Sequence, residues 1–233
     1  MRHDAAVAGP HRPYVPGMGH DWLLPFYDPL QKVLGIESLH RTLVDQADLR
    51  PGDRVLEIGC GTGNLLLLIK RLEPRADVVG LDPDPKALAR ARRKAARRSL
   101  PVQLDQGFAG TLPYPDASFD HMFSALMFHH LGPGEKVGAL REARRVLRPG
   151  GSLHLLDFGG SKPHSGGLLA RRIHRPGRLQ GNLGDRIPTM MREANFEPAM
   201  ELDHKVARFV GAVAYFRASV PASSKTPHGA SHG

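Results

Sequence analysis

From about Arg54 onward the chain alternates strand-length apolar runs with longer stretches of helical period. That is the order of a parallel sheet covered by helices on both faces. "RVLEIG" (54–59) reads as a buried strand and "NLLLLIKRLEP" (64–74) as a helix stopped by Pro74. "ADVVGLD" (76–82) is the second strand, after which Asp84 and Pro85 predict an N-cap and a first helical position. "PVQLDQG" (101–107) is a weaker third strand, and "FDHMFSALMF" (119–128) begins as a fourth. "GEKVGALREARRVLRPGG" (134–151) carries Val137, Leu140, Ala143 and Leu147 at steps of three and four. This predicts an amphipathic helix ended by Pro149, Gly150 and Gly151. "SLHLLDF" (152–158) is the fifth strand.

The flanks are less regular. "IESLHRTLVDQADLRPGD" (36–53) predicts a leading helix that ends near Leu49, ahead of Pro51. After a Gly/Arg/His-rich connection (159–184), "DRIPTMMREANFE" predicts a helix that Asp185 can cap and Asn195 can close in the left-handed conformation. "AMELDHKVARFVGAVAYFRAS" (199–219) holds two β-rich runs about Gly211, expected as an antiparallel pair at the sheet edge. Three segments follow: an N-terminal flap (1–35), one folded domain (36–219) and a disordered Ser/Pro/Gly/His-rich tail (220–233).

Composition narrows the setting. One cysteine, Cys60, allows no internal disulfide, and the N-terminus lacks the apolar block of a signal peptide, so a cytoplasmic protein is expected. The longest wholly aliphatic run, Leu65 to Ile69, is far too short to cross a bilayer. The net charge of +9 raises the question of an acidic partner. Its densest source, "KALARARRKAARR" (86–98), has no interleaved aromatics for base stacking and reads as a solvated helix face. The histidines are scattered without metal-ligand spacing, so no metal site is expected.

The strand, glycine turn and helix around "EIGCGTGN" form the first unit of a nucleotide-binding α/β fold. Gly59, Gly61 and Gly63 spell G-x-G-x-G, and Asn64 stands where a dinucleotide fingerprint wants its last small residue, which disfavours NAD and FAD. Asp82 ends the second strand, 23 residues past Gly59, where a carboxylate can accept both hydroxyls of a ribose. Glu57 lies in an otherwise apolar strand, where a carboxylate is costly unless paired. It is expected to anchor the loop or a ligand ammonium. Cys60 reads as a small loop residue without a nucleophilic role.

"VLEIGCGTGN", "VVGLDPDP", "LPYPDASFDHMFSALMFHHL" and "LREARRVLRPGGSLHLLDF" together resemble the class I S-adenosylmethionine-dependent methyltransferases, in the small-molecule group of the ubiquinone and menaquinone C-methyltransferases. The likeness runs from about residue 45 to 160, with a weaker echo through 185–217. It implies a Rossmann-like doubly wound sheet of about seven strands, mostly parallel with an antiparallel edge strand. It also implies S-adenosylmethionine as cofactor and S-adenosylhomocysteine as product. The methionine part would lie over Glu57, Gly59, Cys60, Gly61, Gly63 and Asn64, and the ribose on Asp82. The adenine would lie between the segment after Asp82, at Pro83, and the loop of Gly107 and Phe108. Proteins of this kind commonly carry an acidic residue after that glycine; here Phe108 stands there and could pack on the ring. Ser124, Ala125 and Leu126 are backbone candidates for the pocket lining.

Methyl transfer needs a base only when the acceptor carries a proton. His129 and His130 follow the fourth strand, and Asp157 ends the fifth, at the carboxyl edge where such sheets bind ligands. They are the catalytic candidates. The methyl group is expected to pass to a C, O, N or S atom of a small, partly apolar acceptor, and His20, Trp22 and Tyr27 of the flap are the candidates for closing over it. The basic stretches and "RRIHRPGR" (171–178) leave two alternatives, an RNA or protein methyltransferase and a non-catalytic cofactor-binding protein, with a nucleic-acid partner disfavoured. The chain is expected as a monomer or a homodimer, without membrane insertion.

Overall fold

The computed structural model describes residues 34–159, 182, 184–207 and 211–222. In chain order the elements are α1 (Ile36–Asp45), β1 (Arg54–Ile58), α2 (Asn64–Leu72), β2 (Asp77–Asp82), α3 (Pro85–Arg97), β3 (Gln103–Gln106) and β4 (Phe119–Ala125). A 3₁₀ turn (Phe128–His130), α4 (Pro133–Val146), β5 (Leu147–Phe158), α5 (Arg186–Glu193), β6 (Ala199–Ala207) and β7 (Gly211–Ser219) complete them.

The strands form one seven-stranded sheet in the order β3-β2-β1-β4-β5-β7-β6. β1 to β5 run parallel, and β7 runs antiparallel to both β5 and β6. The reversed strand therefore sits one place in from the edge, with β6 outermost. Winding changes direction between β1 and β4, which opens a crevice beyond their carboxyl ends. One face of the sheet packs Leu56, Met122 and Leu155 against Leu140 and Ala143 of α4 and Ile187 of α5. The other packs Val55, Phe123 and Tyr215 against Leu39 and Leu43 of α1 and Leu65 and Ile69 of α2.

Local chemistry explains most element ends. Asp84 accepts the Lys86 N–H at 2.8 Å with Pro85 at the first helical position, so α3 starts as its sequence requires. Asn195 closes α5 with φ 64°. Asp185 stands at the α5 N-cap without capping it, because its carboxylate pairs instead with Arg192 at 2.6 Å. The leading helix stops at Asp45, short of Leu49, and Asp48 then adopts φ 53°. β5 begins at Leu147 rather than 152, since the Pro149–Gly151 segment forms an irregularity in its pairing with β4 instead of a helix end. Val220, assigned to the tail by its sequence, is buried and exchanges backbone hydrogen bonds with Gly150 and Gly151. The buried face of α4 is Lys136, Ala139, Leu140, Ala143 and Val146, rotated by one position from the expected face with Val137.

Two buried histidines make the fold sensitive to acid. His154 stacks on Phe123 with ring centroids 5.1 Å apart and is pushed down to about 3 by burial, helped by His121 and Arg217. His40 on α1 is pushed down to about 4 by burial, against the pull of Glu37. Both rings stay neutral in the fold, whereas the unfolded chain takes up protons below about 6.5. Stability should therefore fall as pH drops from 6.5 toward 4 and 3, by about 1.4 kcal/mol per pH unit for each ring. Urea unfolding midpoints between pH 7 and 5 test this. His154→Gln, which keeps a polar partner for Ser152, should flatten the slope; an unchanged slope would show that His154 is not responsible.

Candidate active site

The glycine loop is fastened to the end of β2 by its own amides. The Gly59 and Cys60 N–H groups donate to Leu81 O at 2.8 and 3.1 Å, and Gly63 N–H donates to Cys60 O at 2.8 Å. Asp82 completes the fastening: Oδ2 accepts Gly61 N–H at 2.8 Å and Oδ1 accepts Asp84 N–H at 2.9 Å. Burial raises the Asp82 carboxyl above its ordinary range, and these two amides oppose the shift. Each oxygen keeps a further lone pair, so the carboxylate that holds the loop can also receive hydroxyl donors.

The three glycines meet different demands. A side chain at Gly59 would collide with Met127, whose Cγ lies over it. Gly63 (φ 78°) faces Ala91 of α3, with 3.0 Å between the two Cβ positions. Gly61 (φ 52°) has nothing within 4 Å of where a Cβ would stand, so its open side is the one left for a ligand. Gly61→Ala should weaken cofactor binding by about tenfold or more and, because its φ of 52° strains any L side chain, also lower the melting temperature modestly. Gly63→Ala should chiefly lower the melting temperature. Equal cofactor affinity in Gly61→Ala and the parent would contradict that division of roles.

Below the loop, Glu57 is buried at the N-terminus of α2, with the Leu66 N–H against its carboxyl. Gly63 has no side chain to cap that helix, so the strand supplies the anion the helix end favours. A carboxylate there occupies the place a pyrophosphate would need, which agrees with the missing dinucleotide spacing. Burial raises the Glu57 carboxyl well above its usual range, Asp82 adds to this, and the Leu66 amide and Lys94 oppose it. Its Oε2 has no hydrogen-bond partner. Lys94 was hidden in the basic helix in sequence; its Nζ reaches Thr62 Oγ1 at 3.1 Å and Asn64 Oδ1 at 2.6 Å.

Across the crevice, β4 is followed by Leu126 at φ 53°, whose N–H donates to Leu156 O at 2.8 Å. This left-handed residue turns the chain so that Met127 covers Gly59 and the 3₁₀ turn begins. His129 and Asp157, from different strand ends, meet there. His129 Nδ1 lies 2.7 Å from Asp157 Oδ1, and the His129 N–H donates to Oδ2 at 3.0 Å. A carboxylate accepts only, so the ring proton belongs on Nδ1 and the lone pair on Nε2. Asp157 is fully buried; His129 keeps 8% exposure. His130 lies beside it, its ring tilted by 39° with the centroids 4.0 Å apart.

A methyltransferase-domain family model matches residues 55–151. Over 171 residues the chain is 37% identical to the demethylmenaquinone methyltransferase of Thermus thermophilus, a match covering 70% of this chain and 77% of that one. The chain belongs to the class I S-adenosylmethionine-dependent methyltransferases. It is 36% identical over 166 residues to the 27-O-demethylrifamycin SV methyltransferase of Amycolatopsis mediterranei, covering 67% of this chain and 58% of that one. Among solved structures the [4+2]-cyclase SpnF superposes with a TM-score of 0.65 at 22% identity, over 80% of this chain and 81% of that one. The fold thus also occurs in a protein named for cyclisation, and family membership here rests on the sequence relatives.

The residues of this methyltransferase fit its cofactor. S-adenosylmethionine is a cation with an ammonium group and two ribose hydroxyls. The loop offers a buried carboxylate with an unpartnered oxygen in Glu57, a second carboxylate in Asp82, and open space over Gly61. Ser124, wholly buried, has an unpartnered hydroxyl at the end of β4 beside Ala125. Cys60 offers only backbone, because its side chain is buried against Gly80 and burial raises the thiol well above its ordinary range. The β3 loop is held to β2: Gly107 N–H donates to Asp82 O at 3.2 Å, and Gln106 Nε2 donates to Pro83 O at 3.1 Å. That keeps Pro83 and the half-buried Phe108 at one end of the crevice. His20, Trp22, Tyr27 and residues 171–178 lie outside the described residues. Among the described residues no helix is long and apolar enough to cross a membrane.

Proposed function

We propose that the chain methylates a small, partly apolar molecule, with a hydroquinone or phenol as the acceptor class. Bound S-adenosylmethionine supplies an activated methyl carbon for in-line displacement. The site's task is to hold that carbon against the acceptor and keep water away, and such orientation is worth about 7–11 kcal/mol of barrier. Glu57 receives the ammonium, Asp82 the ribose hydroxyls, and the Gly107–Phe108 loop flanks the adenine. His129 takes the proton that a hydroxyl acceptor must lose, with Asp157 fixing its tautomer. The observation that carries this reading is the buried His129–Asp157 pair at the same crevice as the glycine loop. The acceptor class is supported by the relatives, two of which are named for methylating demethylmenaquinone and demethylrifamycin. We also place the protein in the cytoplasm, a reading supported by its single cysteine.

The basic face of α3, where Arg90, Arg93, Lys94 and Arg97 line one shallow pocket, supports a second reading in which the acceptor is an RNA. One assay separates them. Purified protein is given S-adenosylmethionine with hydroquinones, phenols, amines, thiols or small RNAs, and S-adenosylhomocysteine is measured, with Asp82→Ala as control. Turnover on hydroquinones or phenols, lost in the control, is expected. Turnover confined to RNA would favour the second reading. Cofactor binding by calorimetry without product from any class would overturn both in favour of a binding-only protein.

A further inference from the structure

α3 gathers its charge on one stripe. Ala87, Leu88, Ala91 and Ala95 are its buried positions, which leaves Arg90, Arg93, Lys94 and Arg97 at helical steps of three and four along a second face. Their side chains line one concavity of about 260 Å³. Among the described residues no carboxylate pairs with Arg90, Arg93 or Arg97. Like charges gathered around a shared hollow repel one another, and the fold sets no counter-charge against the three arginines. An anion in the hollow would relieve that repulsion.

The lining selects the kind of anion. Guanidinium forks take phosphate oxygens in pairs, and a lysine beside them adds a point charge. From Arg90 to Arg97 the stripe covers about 10 Å of helix at 1.5 Å per residue, so it can address more than one phosphate group at a time. No aromatic lies among the lining residues, so nothing there stacks on a base. What the pocket recognises is the phosphate chain itself, and its concavity favours a compact anion over a long one laid across a flat face.

Lys94 serves two places at once. Its Nζ donates to Thr62 Oγ1 at 3.1 Å and to Asn64 Oδ1 at 2.6 Å. Thr62 is buried between Gly61 and Gly63, and Asn64 opens α2. The ammonium that lines the pocket therefore also braces the glycine loop from outside. A phosphate entering the pocket competes with those two oxygens for it.

We propose that the α3 pocket binds a small polyphosphate anion, two or three linked phosphate groups, and that its occupation loosens the glycine loop by drawing Lys94 away. Binding then lowers the affinity for S-adenosylmethionine, and by linkage the cofactor lowers the affinity for the polyphosphate by the same factor. This rests on the glycine loop carrying the cofactor, and it is independent of the acceptor and of His129.

The test is calorimetric titration of the full-length protein with sodium tripolyphosphate at constant ionic strength, with and without saturating S-adenosylmethionine. Saturable binding at one site is expected, weakened about fivefold by the cofactor. The Arg93→Gln, Arg97→Gln double variant, altered only at exposed side chains, should bind tripolyphosphate about tenfold or more weakly and the cofactor like the parent. Absence of saturable binding, equal binding in the double variant, or a cofactor affinity indifferent to tripolyphosphate would each overturn the proposal. Binding of a short RNA or of phosphatidylglycerol vesicles without binding of tripolyphosphate would overturn it in favour of a macromolecular surface. Lys94→Met separates it from the loop reading, because that variant should lose cofactor affinity by itself. Unchanged affinity there would show that the loop does not hold the cofactor and would overturn both; lowered affinity there, with a parent indifferent to tripolyphosphate, would overturn this proposal alone.

Discussion

Replacing His129 by glutamine should lower turnover on a hydroxyl acceptor by about 10²–10⁴-fold while leaving S-adenosylmethionine affinity nearly unchanged. Glutamine can still donate to Asp157, so the 2.7 Å contact that ties β4 to β5 has a substitute and the fold should survive. What it lacks is a nitrogen lone pair able to take a proton near neutral pH. The effect should grow with acceptors of high proton affinity and vanish for thiolates or already ionised phenolates, which need no base. Steady-state kinetics across a series of phenols, beside calorimetry with the cofactor, checks both halves. Equal loss on ionised and protonated acceptors would indicate that His129 shapes the pocket rather than moving a proton.

The second large effect is expected at Asp82. In Asp82→Ala, the Gly61 and Asp84 amides lose their acceptors at a buried position, and each buried orphan donor costs about 1–3 kcal/mol. The loop that carries Gly61 would no longer be held to β2, and the ribose acceptor would be gone with it. Cofactor affinity should fall by at least about 10²-fold, together with a visible drop in melting temperature. Asp82→Asn keeps one acceptor oxygen and turns an NH₂ group toward one of the two amides, so it should fall between parent and alanine variant in both measures. If the alanine variant bound cofactor like the parent despite a lower melting temperature, Asp82 would be a loop fastener only.

Much of the fold follows from short stretches read in isolation. The alternation of apolar runs and helical periods marks β1 to β5 and the helices between them, because burial on both faces of a parallel sheet imposes that pattern on each segment separately. Asp84–Pro85 and Asn195 punctuate helices by their own backbone chemistry. Where a segment answers to a distant partner, pattern fails. Asp185 reads as a cap but pairs with Arg192, and "RPGG" reads as a helix stop but lies within β5 opposite β4 and Val220.

The candidate site divides along the same line. Gly59, Gly61, Gly63, Glu57 and Asp82 are legible in the sequence, since a tight loop and a carboxylate in an apolar strand are anomalies visible locally. Their work is not visible there: that Met127 occupies the space over Gly59, that Glu57 caps α2, or that Lys94 reaches Thr62 and Asn64 from α3. His129 and Asp157 stand 28 positions apart and become a pair only because β4 and β5 are parallel neighbours ending at one edge. Lys136 is the clearest case. By itself the sequence determined a lysine on an amphipathic helix, whose charge water would ordinarily solvate. Only the tertiary structure decided that α4 turns that lysine inward, where its ammonium donates to the buried Asn182 amide oxygen beside the Phe128 ring instead of to water.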